Sequence, residues 1–258
     1  MKKNTPAKIK RVSLIPIHGI PLIQPGDDLL RIVLGQIHRS GDVLRSGDVL
    51  VITQKVVSKA EGAMVDLKTC RPSPKAMRLA RSCKKDPRVV EMVLRESKKV
   101  LRVGGSFIVT EHKKGWVCAN AGIDYSNVPK DYVTLLPKDP DGTARKYRQR
   151  VKHLSGTDIA VLIIDSHGRP FRRGAVGVTI GSCGLSVLVD KRGEEDLFHY
   201  RMKGTEIALA DELASAASMI MGQTDEGIPA VIIRGIEFSR KESKGRDLIR
   251  PEEQDLFR

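Results

Sequence analysis

Short apolar runs bounded by Gly, Asp and Pro recur along the whole chain, most plainly at 49–53, 106–110, 159–164 and 230–233. Runs of this length, rich in β-branched residues and flanked by turn formers, predict strands. Between them lie helix starts: Ser73-Pro74 and Asp86-Pro87 each put a capping side chain directly before a proline suited to the first helical turn, which predicts consecutive helices over about 74–83 and 87–97. Asp139-Pro140-Asp141-Gly142 reads as a turn capping a helix over about 143–154, with Gly156 where a left-handed terminator is needed. A further helix over about 206–221 is rich in Ala and Ser and ends at Gly222, so it can pack closely on a sheet or a second subunit. Strands and helices mix without the alternation of a doubly wound fold. The pattern predicts an α+β chain, mixed sheets with helices, in two intimately connected lobes of one unit.

A chain of 258 residues with 40% hydrophobic content can bury a sizeable core. No apolar run is long enough to cross a bilayer, and Met1-Lys2-Lys3-Asn4-Thr5-Pro6 lacks the apolar stretch of a secretory signal, so the expected address is the cytoplasm. Cys70, Cys83, Cys118 and Cys183 form no C-x-x-C pair and read as buried reduced thiols. The net charge of +14 implies attraction to anions, and on that ground a nucleic-acid-binding protein is the competing reading. Aromatics at 4% with one Trp give little material for base stacking. Basic residues concentrate in the stretch to Arg11, in 146–152 and in 240–250, runs that read as solvated faces or tails.

Candidate chemistry begins at Asp165, directly after the run 159–164, a carboxylate at the end of a buried strand followed by the polar turn Ser166-His167-Gly168-Arg169-Pro170. A hard cation such as Mg²⁺ or Mn²⁺ takes oxygen ligands, commonly one or two carboxylates plus substrate phosphate; a simple turn cap explains the same residues. Asn120-Ala121-Gly122-Ile123-Asp124-Tyr125-Ser126-Asn127 offers a second carboxylate, and Asx turns explain it equally well. The loop Met221-Gly222-Gln223-Thr224-Asp225-Glu226-Gly227-Ile228 has free polar ends and two glycines that admit close backbone approach. Lys59 could contact phosphate or simply face solvent. The four glycines of 174–184 fit a twisted strand pair better than a phosphate cradle. No G-x-x-x-x-G-K-[ST] occurs, so there is no P-loop, and neither H-E-x-x-H nor G-x-S-x-G is present. Oxygen-ligated metal with phosphate chemistry is the better physical fit.

Taken in order, Gly19-Ile20-Pro21-Leu22-Ile23, Gly26-Asp27-Asp28, Ser58-Lys59-Ala60-Glu61-Gly62, Asn120 to Asn127, Leu136 to Asp141, Arg172-Arg173-Gly174, Asp211-Glu212-Leu213-Ala214 and Met221-Gly222-Gln223 resemble the motif series of the coenzyme F420-0:γ-glutamyl ligases, over about residues 12–238. The resemblance implies a homodimeric ligase of that fold in which GTP phosphorylates a carboxylate of the deazaflavin precursor F420-0. The amino group of L-glutamate then displaces phosphate from the acyl phosphate. It implies two divalent ions, Mg²⁺ or Mn²⁺, with K⁺ alongside. Matched position by position, Asp124, Asp165, Ser166 and Gln223 fall on metal positions. Ile20, Pro21, Leu22, Ile23, Gln54, Lys55, Lys59, Asn127 and Met221 to Ile228 fall on the GTP site. The positive charge suits GTP, a phosphodiester-bearing coenzyme and a polyglutamate tail, all anionic. After Asp196 the chain departs from the family pattern, with Phe198-His199-Tyr200-Arg201-Met202-Lys203-Gly204, which opens the alternative of a different carboxylate acceptor.

Overall fold

The structure, a computed structural model, describes residues 11–256; of the basic amino-terminal stretch only Arg11 falls within them. In chain order its elements are β1 (Ser13–Pro16), α1 (Leu29–Arg39), β2 (Val49–Thr53), α2 (Gln54–Ala60), β3 (Met64–Asp66), α3 (Pro74–Cys83), α4 (Pro87–Glu96), β4 (Ser97–Gly104), β5 (Phe107–His112), β6 (Val117–Ala119), β7 (Tyr132–Thr134), α5 (Pro140–Ser155), β8 (Ala160–Arg169), β9 (Arg172–Cys183), β10 (Val189–Asp190), β11 (Glu206–Ile207), α6 (Leu209–Met221) and β12 (Ala230–Arg234).

The larger lobe is a five-stranded mixed sheet in the order β1-β12-β2-β8-β9, with β2 and β8 parallel and the other neighbours antiparallel. Its central strands are covered on both faces, which is why β2 reads as an unbroken apolar run. Leu50 and Ile52 enter one core with Leu30 and Val33 of α1 and Tyr147 of α5. Val49 and Val51 enter the other, with Leu213 and Ala214 of α6. Residues 64–134 build the smaller lobe, the ribbon β3–β7 and the sheet β4-β5-β6, with a third core where Val90 and Val93 of α4 meet Ile108 and Val133. The mixed α+β architecture in two joined lobes is the one the pattern predicts.

The helix starts behave as their chemistry dictates: Ser73 Oγ accepts from the Ala76 amide at 3.2 Å, and Asp86 Oδ1 from the Arg88 amide at 2.8 Å. Gly156 closes α5 at φ 69°. Three expectations shift and a fourth narrows. Asp139 caps α5 by accepting from the Gly142 amide at 3.0 Å, so Pro140 is already the first helical residue and the tetrapeptide is helix rather than a separate turn. The Ala-rich helix starts at Leu209, because Glu206–Ile207 is drawn into a short strand against β10. Strand β8 runs on to Arg169 instead of turning after Asp165, because β9 keeps pairing with it. The basic stretch 240–250 is a solvated face and not a loose tail: Arg240, Lys241, Lys244, Arg246 and Arg250 are exposed, while Arg240 pairs with Asp158 at 2.6 Å and Ile249 and Leu248 pack on the two large cores.

The glycine-rich run is strand β9, as expected. A Cβ at Gly177 would lie 2.4 Å from the Ala214 carbonyl oxygen, so a glycine there lets α6 sit against the sheet. All four cysteines are buried and free. Among the described residues, no helix is long and apolar enough to cross a membrane.

His112, at the end of β5, is 1% exposed, and its Nδ1 accepts from the Lys114 amide at 3.0 Å. Burial, then the Lys114 charge, hold its pKa down to about 4 from 6.5, with Glu96 opposing and Lys113 adding to the depression. The ring is therefore neutral in the fold, whereas the unfolded chain protonates it first as pH falls. Stability from this site is complete above about pH 6.5 and is lost progressively down to about pH 4, on the order of 3 kcal/mol. Denaturant titrations across that window should show the loss in the wild type and a flatter profile in His112→Gln. Two further substitutions test the packing. Gly177→Ala should destabilise by about 1–3 kcal/mol by pressing on the α6 backbone. Gly35→Ala, mid-helix with nothing within 4 Å of its new methyl, should stabilise by about 0.5–1 kcal/mol. Thermal melts that reverse either sign would contradict this packing.

Candidate functional site

Strand direction gathers the candidate residues. Strands β2 and β8 run parallel and end their pairing at Thr53 opposite Ile164, so Gln54-Lys55 and Asp165-Ser166 emerge side by side. Strand β12 runs the other way and starts there, and the Thr53 amide donates to the Pro229 carbonyl at 2.9 Å, which brings the 222–228 loop to the same edge. Strand β1 also ends there and delivers residues 20–25. The smaller lobe closes the opposite wall with Asp124 to Pro129. Between the lobes lies a cavity of about 1080 Å³, lined by every candidate named above: Ile20 to Ile23, Gln54, Lys55, Lys59, Asp124, Asn127, Asp165, Ser166 and Met221 to Ile228.

Two lysines, Lys55 and Lys59, face four carboxylates there, those of Asp124, Asp165, Asp225 and Glu226. Lys55 Nζ lies 2.5 Å from Asp124 Oδ2 and donates to the Ser126 carbonyl at 3.1 Å and to the Ser126 hydroxyl. Asp124 also accepts from the Ser126 amide at 2.7 Å. Burial pushes the Asp124 carboxyl up, but the Lys55 ammonium and these donors outweigh it and leave it below the usual range, ionised at neutral pH. Lys59, 9% exposed, donates to the Asn127 carbonyl at 2.5 Å. Burial first, then the Lys55 charge, lower its pKa. Asn127 in turn donates to the Thr224 carbonyl at 2.9 Å, so it ties the smaller lobe to the 222–228 loop. Gln54, also buried, accepts from Ser58 Oγ at 3.0 Å, which fixes its amide.

On the other wall, Ser166 Oγ donates to Gln223 Oε1 at 2.9 Å, and Gln223 Nε2 donates to Ser218 Oγ at 3.1 Å. The loop is shaped by Gly222, at φ 71°, where a Cβ would sit 2.0 Å from the Glu226 carboxyl carbon. Glu226 accepts from the Thr224 amide at 2.8 Å and is held below the usual carboxylate range by backbone donors. Asp165 lies 3.0 Å from His167 Nε2. Cys118 of β6 packs near enough that burial and then the Asp165 charge push its thiol up to about 12.

The chemistry of the donor set fits a hard divalent cation. Asp124, Asp165, Ser166 and Gln223 present oxygen, all four face one cavity, and Asp124 already holds a cation, the Lys55 ammonium. Among the described residues no three His, Cys, Asp or Glu side chains gather closely enough to hold an ion unaided. Such a site leaves room for ligand oxygens, as Mg²⁺ sites commonly do. Ser218 escapes the sequence reading, and Ser126 and His167, quoted there within their motifs, have no role of their own in it. Ser126 and Ser218 have no pattern that marks them. His167 has one: at i+2 from Asp165 on a strand, it shares that residue's face. The divergent stretch 198–204 lines no part of the cavity.

The family model described as F420-0:Gamma-glutamyl ligase matches residues 19–235. The protein called Coenzyme F420:L-glutamate ligase from Methanothermobacter thermautotrophicus is 48% identical over 249 residues, 96% of this chain and 99% of its own. The protein of that name from Methanopyrus kandleri is 50% identical over 94% of this chain and 97% of its own, and the one from Methanocaldococcus jannaschii 50% over 83% and 86%. With matches of this extent running through every wall of the cavity, the chain belongs to the F420-0:gamma-glutamyl ligase family.

Proposed function

We propose that this protein ligates L-glutamate to coenzyme F420-0 in a GTP-dependent reaction through an acyl phosphate. The observation that carries it is the convergence of Asp124, Asp165, Ser166 and Gln223 with Lys55 and Lys59 in one cavity between the lobes. That donor set suits the phosphate end of a nucleotide held without a P-loop. A terminal carboxylate oxygen of the acceptor attacks the γ-phosphorus of GTP; the new O–P bond forms as the bond to the bridging oxygen breaks, and GDP leaves. The glutamate nitrogen then attacks the acyl carbon. The C–N bond forms, the C–O bond to phosphate breaks, and the nitrogen gives up its proton.

A carboxylate nucleophile at neutral pH needs positioning more than a base, so the protein's contribution is placement and charge. Asp124, Asp165, Ser166 and Gln223 would hold the divalent ions, Mg²⁺ or Mn²⁺, with K⁺ as a further cation. Bound there, such ions neutralise charge on phosphate oxygens. Lys59 sits under the Asn127 backbone, where its ammonium faces the phosphates with little water around it. Lys55, held by Asp124, supplies a second cation to the same end. Residues 20–23 and the 222–228 loop form further walls of the same cavity. A homodimer, read in solution as twice the chain mass, completes the proposal.

Incubation with F420-0, L-glutamate, Mg²⁺ or Mn²⁺ and either GTP or ATP, followed by mass spectrometry of the coenzyme and assay of released phosphate, tests the reaction. Glutamyl mass steps that need both metal and GTP are expected; phosphate release without them would reassign the acceptor. Asp124→Asn and Asp165→Asn should each lower kcat more than about 100-fold with the melting temperature kept within a few degrees. Full turnover in either would remove that carboxylate from the site. Lys59→Met should weaken nucleotide binding about tenfold or more, because a desolvated charge-assisted contact is lost. An unchanged GTP affinity would place the phosphates elsewhere.

A further inference from the structure

Beyond the cavity, β8 and β9 leave the sheet together as a two-stranded arm. β8 last pairs with β2 at Ile164, yet its pairing with β9 continues from Asp165 opposite Val178 out to Arg169 opposite Arg172. Pro170 and Phe171 close the tip, and every residue from Gly168 to Ala175 is exposed. Such an arm buries little, so its sequence is free to serve something other than the core.

The tip carries costs that the fold does not require. Arg169 and Arg172 stand directly opposite one another, and like charges facing across a strand pair repel. Arg173 follows within the irregularity between Gly168 and Arg169, adding a third cation to the same few ångströms of chain. Phe171 adopts φ 61°, the left-handed region that a bulky side chain disfavours. Arginines that pack on the fold are answered by carboxylates, Arg148 by Asp158, Arg150 by Asp28, Arg234 by Asp48 and Arg240 by Asp158, while single surface arginines such as Arg39 and Arg81 form no ion pair among the described residues; what sets the tip apart is three of them together. Among the described residues the three tip arginines pair with no carboxylate either, and Arg169 spends one donor on the Arg173 carbonyl at 3.4 Å. Three unanswered guanidinium groups in one turn are an anion receptor, since each presents a planar fork matched to phosphate or carboxylate.

Position decides which anion. Ser166 lines the cavity, and Arg169 lies three residues further along the same strand, roughly 10 Å away. A ligand with its reacting end in the cavity and a charged chain leading out would reach the tip. The cavity's own lysines lie inside it and serve the nucleotide phosphates in the reaction proposed above, so anions left outside need other cations. We infer that Arg169, Arg172 and Arg173 bind the anionic groups of the acceptor, phosphodiester or glutamyl carboxylates, that remain outside the cavity while its terminal carboxylate reacts. This rests on the reaction proposed above.

The test compares the wild type with the triple variant R169Q/R172Q/R173Q, which alters exposed positions only. Two readouts are needed: KM values for GTP and for acceptors carrying no glutamate or one, and direct titration of acceptor binding by deazaflavin fluorescence over a range of salt. The acceptor KM and Kd should rise about tenfold or more, with a shallower salt dependence, while the GTP KM stays within about twofold. A larger rise for the one-glutamate acceptor identifies the tail carboxylates as the bound group; an equal rise identifies the phosphodiester. Acceptor KM and Kd unchanged in the variant would overturn the inference. So would a duplex oligonucleotide that binds the arm more tightly than the acceptor does. A wild type that binds acceptor through these arginines but adds no glutamate would overturn the reaction and leave the arm standing. A wild type that binds no acceptor would overturn both.

Discussion

Everything at the site depends on the direction of four strands. Strands β1, β2 and β8 end at one edge of the large sheet, and β12 begins there. That choice makes one edge collect four loops, the arrangement in which open sheets usually hold ligands. The parallel pair β2–β8 is the hinge of the design, because it sets Gln54-Lys55 and Asp165-Ser166 in register through five consecutive residue pairs from Val49–Ala160 to Thr53–Ile164. A slip of one residue would turn the side chains of each strand to the opposite core, where α1 and α5 pack on one face and α6 on the other. The register of the chemistry is thus protected by the register of the core.

The second lobe adds what the sheet edge lacks. Its loop supplies Asp124 and Asn127, and both are tied across the cleft: Asp124 to Lys55 at 2.5 Å, Asn127 to the Thr224 carbonyl at 2.9 Å. These contacts use the functional groups themselves as the clasp between lobes. A ligand that competes for Asp124 or Lys55 therefore acts on the relation between the lobes as well as on the site. Buried Lys59 contributes in the same way, through its bond to the Asn127 carbonyl, and burial lowers its pKa.

Much of the fold was legible because its signals are local. The caps at Ser73, Asp86 and Asp139 and the terminator at Gly156 are short-range chemistry, and the apolar runs mark strands whatever their partners. The errors are those of pairing. Nothing within Asp165 to Arg169 states that β9 will hold it extended, and nothing within Glu206-Ile207 states that β10 will withdraw it from the helix. The packing at 248–249 was hidden for a related reason: Ile249 and Leu248 are single apolar residues in a charged stretch, and only the surfaces they meet give them meaning. Site residues were legible through the resemblance, as an ordered series. From residue type alone Asp124 and Asp165 remained ambiguous with turn caps, and Asp124 does in fact receive a turn amide, from Ser126.

The few oxygen ligands offered by Asp124, Asp165, Ser166 and Gln223 have a consequence for how the proposed reaction is ordered. Two carboxylates, a hydroxyl and an amide cannot saturate two hard cations, whose coordination demands about six oxygens each. The remaining positions fall to phosphate oxygens and water, so metal and nucleotide would each strengthen the other's binding, and neither would bind tightly alone. Lys55 would sharpen that coupling: its ammonium pairs with Asp124, and a divalent ion bound to that carboxylate would share it and so free Lys55 to face phosphate. In the proposed reaction phosphoryl transfer would thereby be confined to the fully loaded cavity, because the charge pattern that stabilises the leaving diphosphate would be assembled only with ion and nucleotide both bound.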